Sequence, residues 1–173
     1  MIGMESYRTF INKDVDFGAS DAKIIKTDSV VTAPWVRWKC RYGCDGYNSS
    51  LCCPPSTPVH RETRELLDSY KVALLLHLAG NIKRSADLTE IAVTLERDLF
   101  LAGYYKAFAM GAGPCGLCPV CSMGECRYPE KARPSMESCG IDVFSTARNN
   151  GYTIEVVKDY SDKMNRFGLV LIE

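Results

Sequence analysis

The sequence predicts an α/β fold: a single layered domain over residues 1–173, with a mostly parallel sheet flanked by helices and cysteine-rich loops at the C-terminal edge of the sheet. Three observations point there. Helix-like and strand-like apolar patterns alternate along the chain. The run "KVALLLHLA" is continuously apolar over strand length, as expected of a strand covered on both faces. A chain of 173 residues, 46% hydrophobic and 24% charged, is long enough to bury one core and has the make-up of an ordinary globular domain.

The first twenty residues show weak patterning, read as a short helix or an irregular arm. "AKIIK" and "SVVTA" carry the β-branched enrichment of short strands, while Pro34 suits the first turn of a helix in "TAPWVRWKC". A polar, turn-rich loop follows at about 40–56. Thr57 is placed to cap a helix with Pro58 at its first position and Val59, Leu66, Leu67 and Tyr70 on its apolar side. After the strand in "KVALLLHLA", Asp87 and Glu90 have capping-box spacing. Leu88, Ile91, Ala92, Leu95 and Leu99 then line one helix face, and Gly103 ends it. "YYKAFAM" reads as a strand leading into a second loop, 111–139. Asp142 caps a helix through Asn149, and "TIEVV" and "GLVLI" read as closing strands. In a parallel sheet, crossover helices begin at the edge where strands end, so both cysteine-rich loops are expected at that one edge, the usual ligand position of open α/β folds.

Charge excludes some functions. Lys+Arg and Asp+Glu are equal at 21 each, so no overall field draws nucleic acid or an anionic membrane. The longest apolar run is too short to span a bilayer, and no leader-like start is evident, so a cytoplasmic location is expected. Nine cysteines then need a reason, because a reducing cytosol disfavours disulfides and an odd number cannot all pair. They sit among Gly, Pro and Arg rather than along apolar faces, which points to metal.

Cys115, Cys118 and Cys121 form C-x2-C-x2-C, with Cys126 four residues further on. Such spacing lets tight turns aim thiolates at one centre, as ferredoxin-type loops grip a [4Fe–4S] cluster. The bacterial ferredoxin run ends C-x3-C-P, whereas here Pro129 is displaced, which leaves open whether Cys126 binds the same cluster. Gly111, Gly113 and Gly116 are read as letting backbone N–H groups approach the sulfides. The second set is Cys40 and Cys44 with Cys52 or Cys53; Cys53 is preferred because Pro54 and Pro55 follow it. Cys139 is then the fourth ligand by elimination, the alternatives being an open iron or an exchange of Cys126 and Cys139 between sites. One or two clusters are expected, with zinc as the alternative cofactor; three cysteines in one C-x2-C-x2-C run suit tetrahedral zinc less well.

Around these motifs, Arg41, Arg127, Lys131 and Arg133 are read as solvated charges or as neutralising an anionic cluster, with Glu137 orienting one of the arginines. His77 reads as a core histidine, and His60 as a surface residue with a ligand role as the alternative. Trp35, Trp38, Tyr42 and Tyr47 are expected to shield the first motif.

Taken together, "KCRYGCDGY…CPP" and "GPCGLCPVC…CRYPEKARPSMESCGIDV" resemble an uncharacterised prokaryotic family of predicted metal-binding proteins, over roughly residues 38–157. The resemblance implies metal or iron–sulfur binding through Cys40, Cys44, Cys53, Cys115, Cys118, Cys121 and Cys126, with Cys52 extra to the pattern. It implies no reaction. The expected role is redox or electron transfer, with a redox partner protein or a small anionic substrate; the competing expectations are a structural zinc protein and a metal or sulfur carrier.

Overall fold

The computed structural model describes Phe10 and residues 19–80, 85–159 and 162–173, with the backbone alone described for 85–87. Its centre is a four-stranded sheet of β1 (Asp21–Lys26), β2 (Val72–Gly80), β3 (Phe108–Met110) and β4 (Met164–Leu171), in the spatial order β1-β2-β4-β3. Four helices among the described residues from 19 onward accompany it: α1 (Pro34–Gly43), α2 (His60–Asp68), α3 (Ser85–Leu101) and α4 (Val143–Asn149).

Every strand pairing is antiparallel. The expected mostly parallel sheet is therefore corrected, and the loops do not leave the edge of such a sheet. The reason lies in where the last strand goes. Leu171 of β4 faces Ala73 of β2 on one side and Phe108 of β3 on the other, so β2 and β3 run the same way but never pair. They form a βαβ unit with α3, split by β4 running the opposite way between them. Helix–strand alternation encodes the direction of β2 and β3; it does not encode insertion of the C-terminal strand. The composition of β4 carried a hint, because a strand apolar on both faces belongs at the centre of a sheet.

Alternation then builds two cores. Leu74, Leu76 and Leu78 of β2 and Val170 of β4 face α3, which presents Leu88, Ile91, Ala92, Leu95 and Leu99. Ala73 and Leu75 of β2, with Phe167, Leu169 and Leu171 of β4, face the opposite layer of Leu67, Met136, Cys139, Ile141, Val143 and Ala147. The result is three layers, with the sheet buried on both sides.

Several element expectations change. Thr57 does not cap α2; the helix starts at His60, and Glu62 Oε2 accepts the Val59 N–H at 2.8 Å. "YYKAFAM" pairs only over Phe108–Met110. "TIEVV" has no strand partner among the described residues: Ile154 is buried, while Val156 is exposed. "SVVTA" follows a 3-10 turn, Thr27–Ser29, and makes one bridge, from Thr32 to Ile141, instead of a strand. Asp142 caps α4 through the Ser145 N–H at 3.0 Å. The side chain of Asp87 and most of the first twenty residues lie outside the described residues.

Candidate metal centre

All nine cysteines are free thiols, and the structure sorts them into three groups. The first begins on α1. Cys40 lies in its last turn and Cys44 just past its end, so the i,i+4 spacing brings both thiols to one side. Gly46 closes the turn beyond, and its N–H donates to the Cys44 sulfur at 3.3 Å. A methyl group on Gly46 would meet Cys44 Sγ at 3.4 Å and Cys53 Sγ at 3.9 Å, so both sulfurs flank this glycine. Burial pushes the Cys40 thiol up, and neighbouring Cys44, Glu137 and Cys53 push the same way against the pull of the Arg37 guanidinium.

The second group is built by the long loop. Its neck is closed where Gly111 bridges Ser135: the Gly111 N–H donates to the Pro134 carbonyl at 2.8 Å and the Met136 N–H to the Gly111 carbonyl at 3.1 Å. Gly111 therefore has no N–H to offer a sulfide. Its need for glycine is steric, because a Cβ there would lie 2.1 Å from Thr89 Oγ1. Between these ends, Cys115, Cys118, Cys121 and Cys126 surround a cavity of about 300 Å3, and Cys52 enters its wall from the first loop. Burial, and then the neighbouring Cys115 and Cys126 thiols, push Cys52 up to about 12. Cys121 moves the opposite way. The backbone N–H groups of Met123 and then Leu51 favour its thiolate, helped by the Arg127 charge and the Ser122 N–H.

Cys139 stands apart. It follows Glu137 and Ser138 in a 3-10 turn beneath α1 and is buried among Met136, Ile141 and Leu67, where burial raises its thiol to about 11. Backbone bonds hold that turn against the segment before α1: Ala33 N–H to the Gly140 carbonyl at 2.9 Å and Asp142 N–H to the Val31 carbonyl at 2.8 Å. Arg37 Nη1 adds bonds of 2.6 Å to the Ser138 carbonyl and to Thr57 Oγ1. The turn thus brings the Glu137 charge within range of Cys40, whose thiol it helps to push up.

The fit to a metal or cluster can be judged from the donors. Thiolate is the usual ligand of iron–sulfur clusters, and N–H···S bonds such as that from Gly46 to Cys44 are what hold and tune such ligands. Among the described residues, no three His, Cys, Asp or Glu side chains are drawn together tightly enough to hold one ion as they stand. The five thiols instead rim a cavity.

Residues 23–172 match a family model described as "Predicted metal-binding protein (DUF2284)". The chain belongs to DUF2284. No curated protein and no solved structure matches it. Membership makes this DUF2284 chain a member of a predicted metal-binding family and leaves the metal open. Among the described residues no helix is long and apolar enough to cross a membrane.

Other site residues of this DUF2284 chain lie as follows. Arg133 does not meet Glu137 but grips Glu96 with two bonds of 2.8 and 2.6 Å, and Glu96 Oε2 also accepts the Ala109 N–H at 2.6 Å. Trp35, Trp38 and Tyr42 lie on the outer side of α1, 45–69% exposed, so they do not wall off the first motif. His77 bonds Asn165 Oδ1 at 2.8 Å and stacks on Phe167. His60 opens α2, its backbone against Gly140. The pairing of Cys52 with the second loop and the position of Glu137 escaped the sequence reading. Adjacent cysteines in a turn were the available signal for the first, since neighbouring side chains there diverge.

Proposed function

We propose that the chain is an iron–sulfur redox protein with two centres. One uses Cys40, Cys44 and Cys53; the other uses Cys115, Cys118, Cys121 and Cys126, with Cys52 at its edge. The carrying observation is the cavity of about 300 Å3 rimmed by five thiols. Four thiolates at about 2.3 Å from a single zinc ion close around it, whereas a cluster is a body that thiolates surround. When bound, a cluster supplies reversible one-electron transfer.

The protein's part is to supply thiolates and to set their basicity. The N–H groups of Gly46, Leu51 and Met123 stabilise sulfur charge, and Arg127 adds positive potential near Cys121. A second cavity of about 700 Å3 shares Cys115 with the first and runs along α3 past Thr89, Val93 and Phe100. Its rim mixes Glu90, Asp98 and Glu130 with Arg97 and Lys131, which supports a small polar substrate next to the second centre with no strong preference for anions.

Anaerobic purification with iron, acid-labile sulfide and zinc analysis tests this reading. Brown protein with matched iron and sulfide, paramagnetic after reduction, is expected. Colourless protein with stoichiometric zinc and no sulfide overturns it.

A further inference from the structure

We infer that the Glu137 carboxylate, rather than the Cys139 thiol, supplies the fourth ligand of the first centre beside Cys40, Cys44 and Cys53. The inference rests on the proposal that this centre holds metal.

One oxygen carries the argument. Glu137 Oε2 is buried and has no hydrogen-bond partner among the described residues. Burial disfavours the charged form of this carboxylate, against the smaller pull of its own backbone N–H and the Ser135 hydroxyl. Its neighbours at this end are Cys40 and Cys139, each of whose thiols its charge disfavours as thiolate. A buried carboxylate oxygen without a donor or cation is costly to fold, and such groups are ordinarily paired or bound to metal. The Arg37 guanidinium, whose charge also reaches Cys40, spends Nη1 on Thr57 and Ser138. A metal on the Cys40 group supplies the missing partner of Oε2.

Cys139 suits the role less well. Its side chain is 1% exposed and belongs to the apolar layer under the sheet, packed with Met136, Ile141 and Leu67. Cys44, by contrast, is exposed. Glu137 lies on the turn that packs against α1, and its charge reaches Cys40 of that helix. Three thiolates and one carboxylate leave one iron with a harder, more exchangeable ligand than the others. That iron is where a small molecule would bind the first centre.

The test uses the full chain, reconstituted anaerobically with Fe2+ and sulfide, as wild type, Glu137→Gln, Glu137→Cys and Cys139→Ala. The readouts are the electron paramagnetic resonance spectrum and the rate of iron loss to a chelator, with thermal melting of the metal-free proteins as a check on folding. Expected are several-fold faster loss of one iron from Glu137→Gln, a shifted spectrum and slower loss for Glu137→Cys, and an unchanged spectrum for Cys139→Ala. A folded Glu137→Gln protein with the wild-type spectrum and rate overturns the inference, as does loss of the first signal in folded Cys139→Ala. A wild type that takes up zinc without sulfide defeats the iron–sulfur reading instead. In that case Co2+ is the probe: the thiolate-to-cobalt absorption should strengthen in Glu137→Cys, and its failure to change overturns the ligand assignment separately.

Discussion

The thiols of Cys52 and Cys53, one peptide bond apart, belong to different groups: Cys52 meets Cys115 and Cys126, and Cys53 lies beside Cys44. Neighbouring substitutions should therefore have different consequences. Cys53→Ala leaves two thiols in the first group and is expected to lower iron and sulfide by about half, with the second centre intact. Cys52→Ala leaves four loop cysteines around the cavity and should retain its iron while altering the spectrum of that centre. Metal analysis with the paramagnetic spectra checks this, and the reverse pattern would remove the assignment of the pair to separate sites.

Glu96 joins three parts of the molecule: α3, the Ala109 N–H of β3, and the Arg133 fork at the base of the long loop. The ion pair is 16% and 15% exposed at its two side chains, so it is mostly desolvated. Glu96→Ala leaves the Arg133 charge without its carboxylate, holding only the Pro129 and Ala132 carbonyls, and the Ala109 N–H without an acceptor, and should cost about 2–4 kcal/mol. Urea unfolding of the metal-free protein measures it. A loss below about 0.5 kcal/mol, typical of an exposed pair, would mean that Glu96 does not anchor the loop.

The contrast between what the sequence reveals and what it hides follows physical range. Helix α3, its face of Leu88, Ile91, Ala92, Leu95 and Leu99, and the cap at Asp142 are local patterns and are legible. The spacing from Cys115 to Cys126 is likewise local, and the wall of the 300 Å3 cavity follows from it. Insertion of β4 between β2 and β3 is a choice among pairings that nearby residues do not bias, and assuming a parallel sheet was the consequence. The expected pairing of Glu137 with one of the flanking arginines fails at Arg133 for the same reason: Arg133 is held by Glu96, 37 positions away on α3.

Tyr152 makes stability at high pH depend on a site remote from the cysteines. Its hydroxyl donates to Asp21 Oδ2 at 2.8 Å, and burial, then Asp21, raise its pKa well above the ordinary value. A raised folded value means that the contribution is whole below pH about 10 and declines as pH rises towards that folded value, since only the unfolded chain then ionises readily. Tyr152→Phe should show a shallower fall in stability above pH about 10 than wild type, despite losing the bond to Asp21. Ultraviolet titration should lose one late-ionising group of the nine tyrosines. An identical high-pH slope in both proteins would remove Tyr152 from the account.

Gly140 is where the turn carrying Glu137 and Cys139 touches α2. Its φ of +79° lies in the left-handed region, and a Cβ there would stand 2.8 Å from His60 Cβ and 3.0 Å from His60 Cα. His60 cannot yield easily. Thr63, one turn on, donates through Oγ1 to the Cys139 carbonyl at 2.6 Å, and Leu67 beyond it is fully buried. Gly140→Ala therefore adds backbone strain of about 1 kcal/mol to overpacking of about 1–3 kcal/mol. Relief requires the turn to move off α2, carrying Glu137 away from Cys40. The expected outcome is a lower melting temperature together with faster iron loss from the first centre. Gly43→Ala is the matched control: nothing lies within 4 Å of its added Cβ, and it sits in the last turn of α1, so it should be neutral or gain up to about 1 kcal/mol through helix propensity. If the two variants melt alike, the contact between Gly140 and His60 does not set the position of the turn.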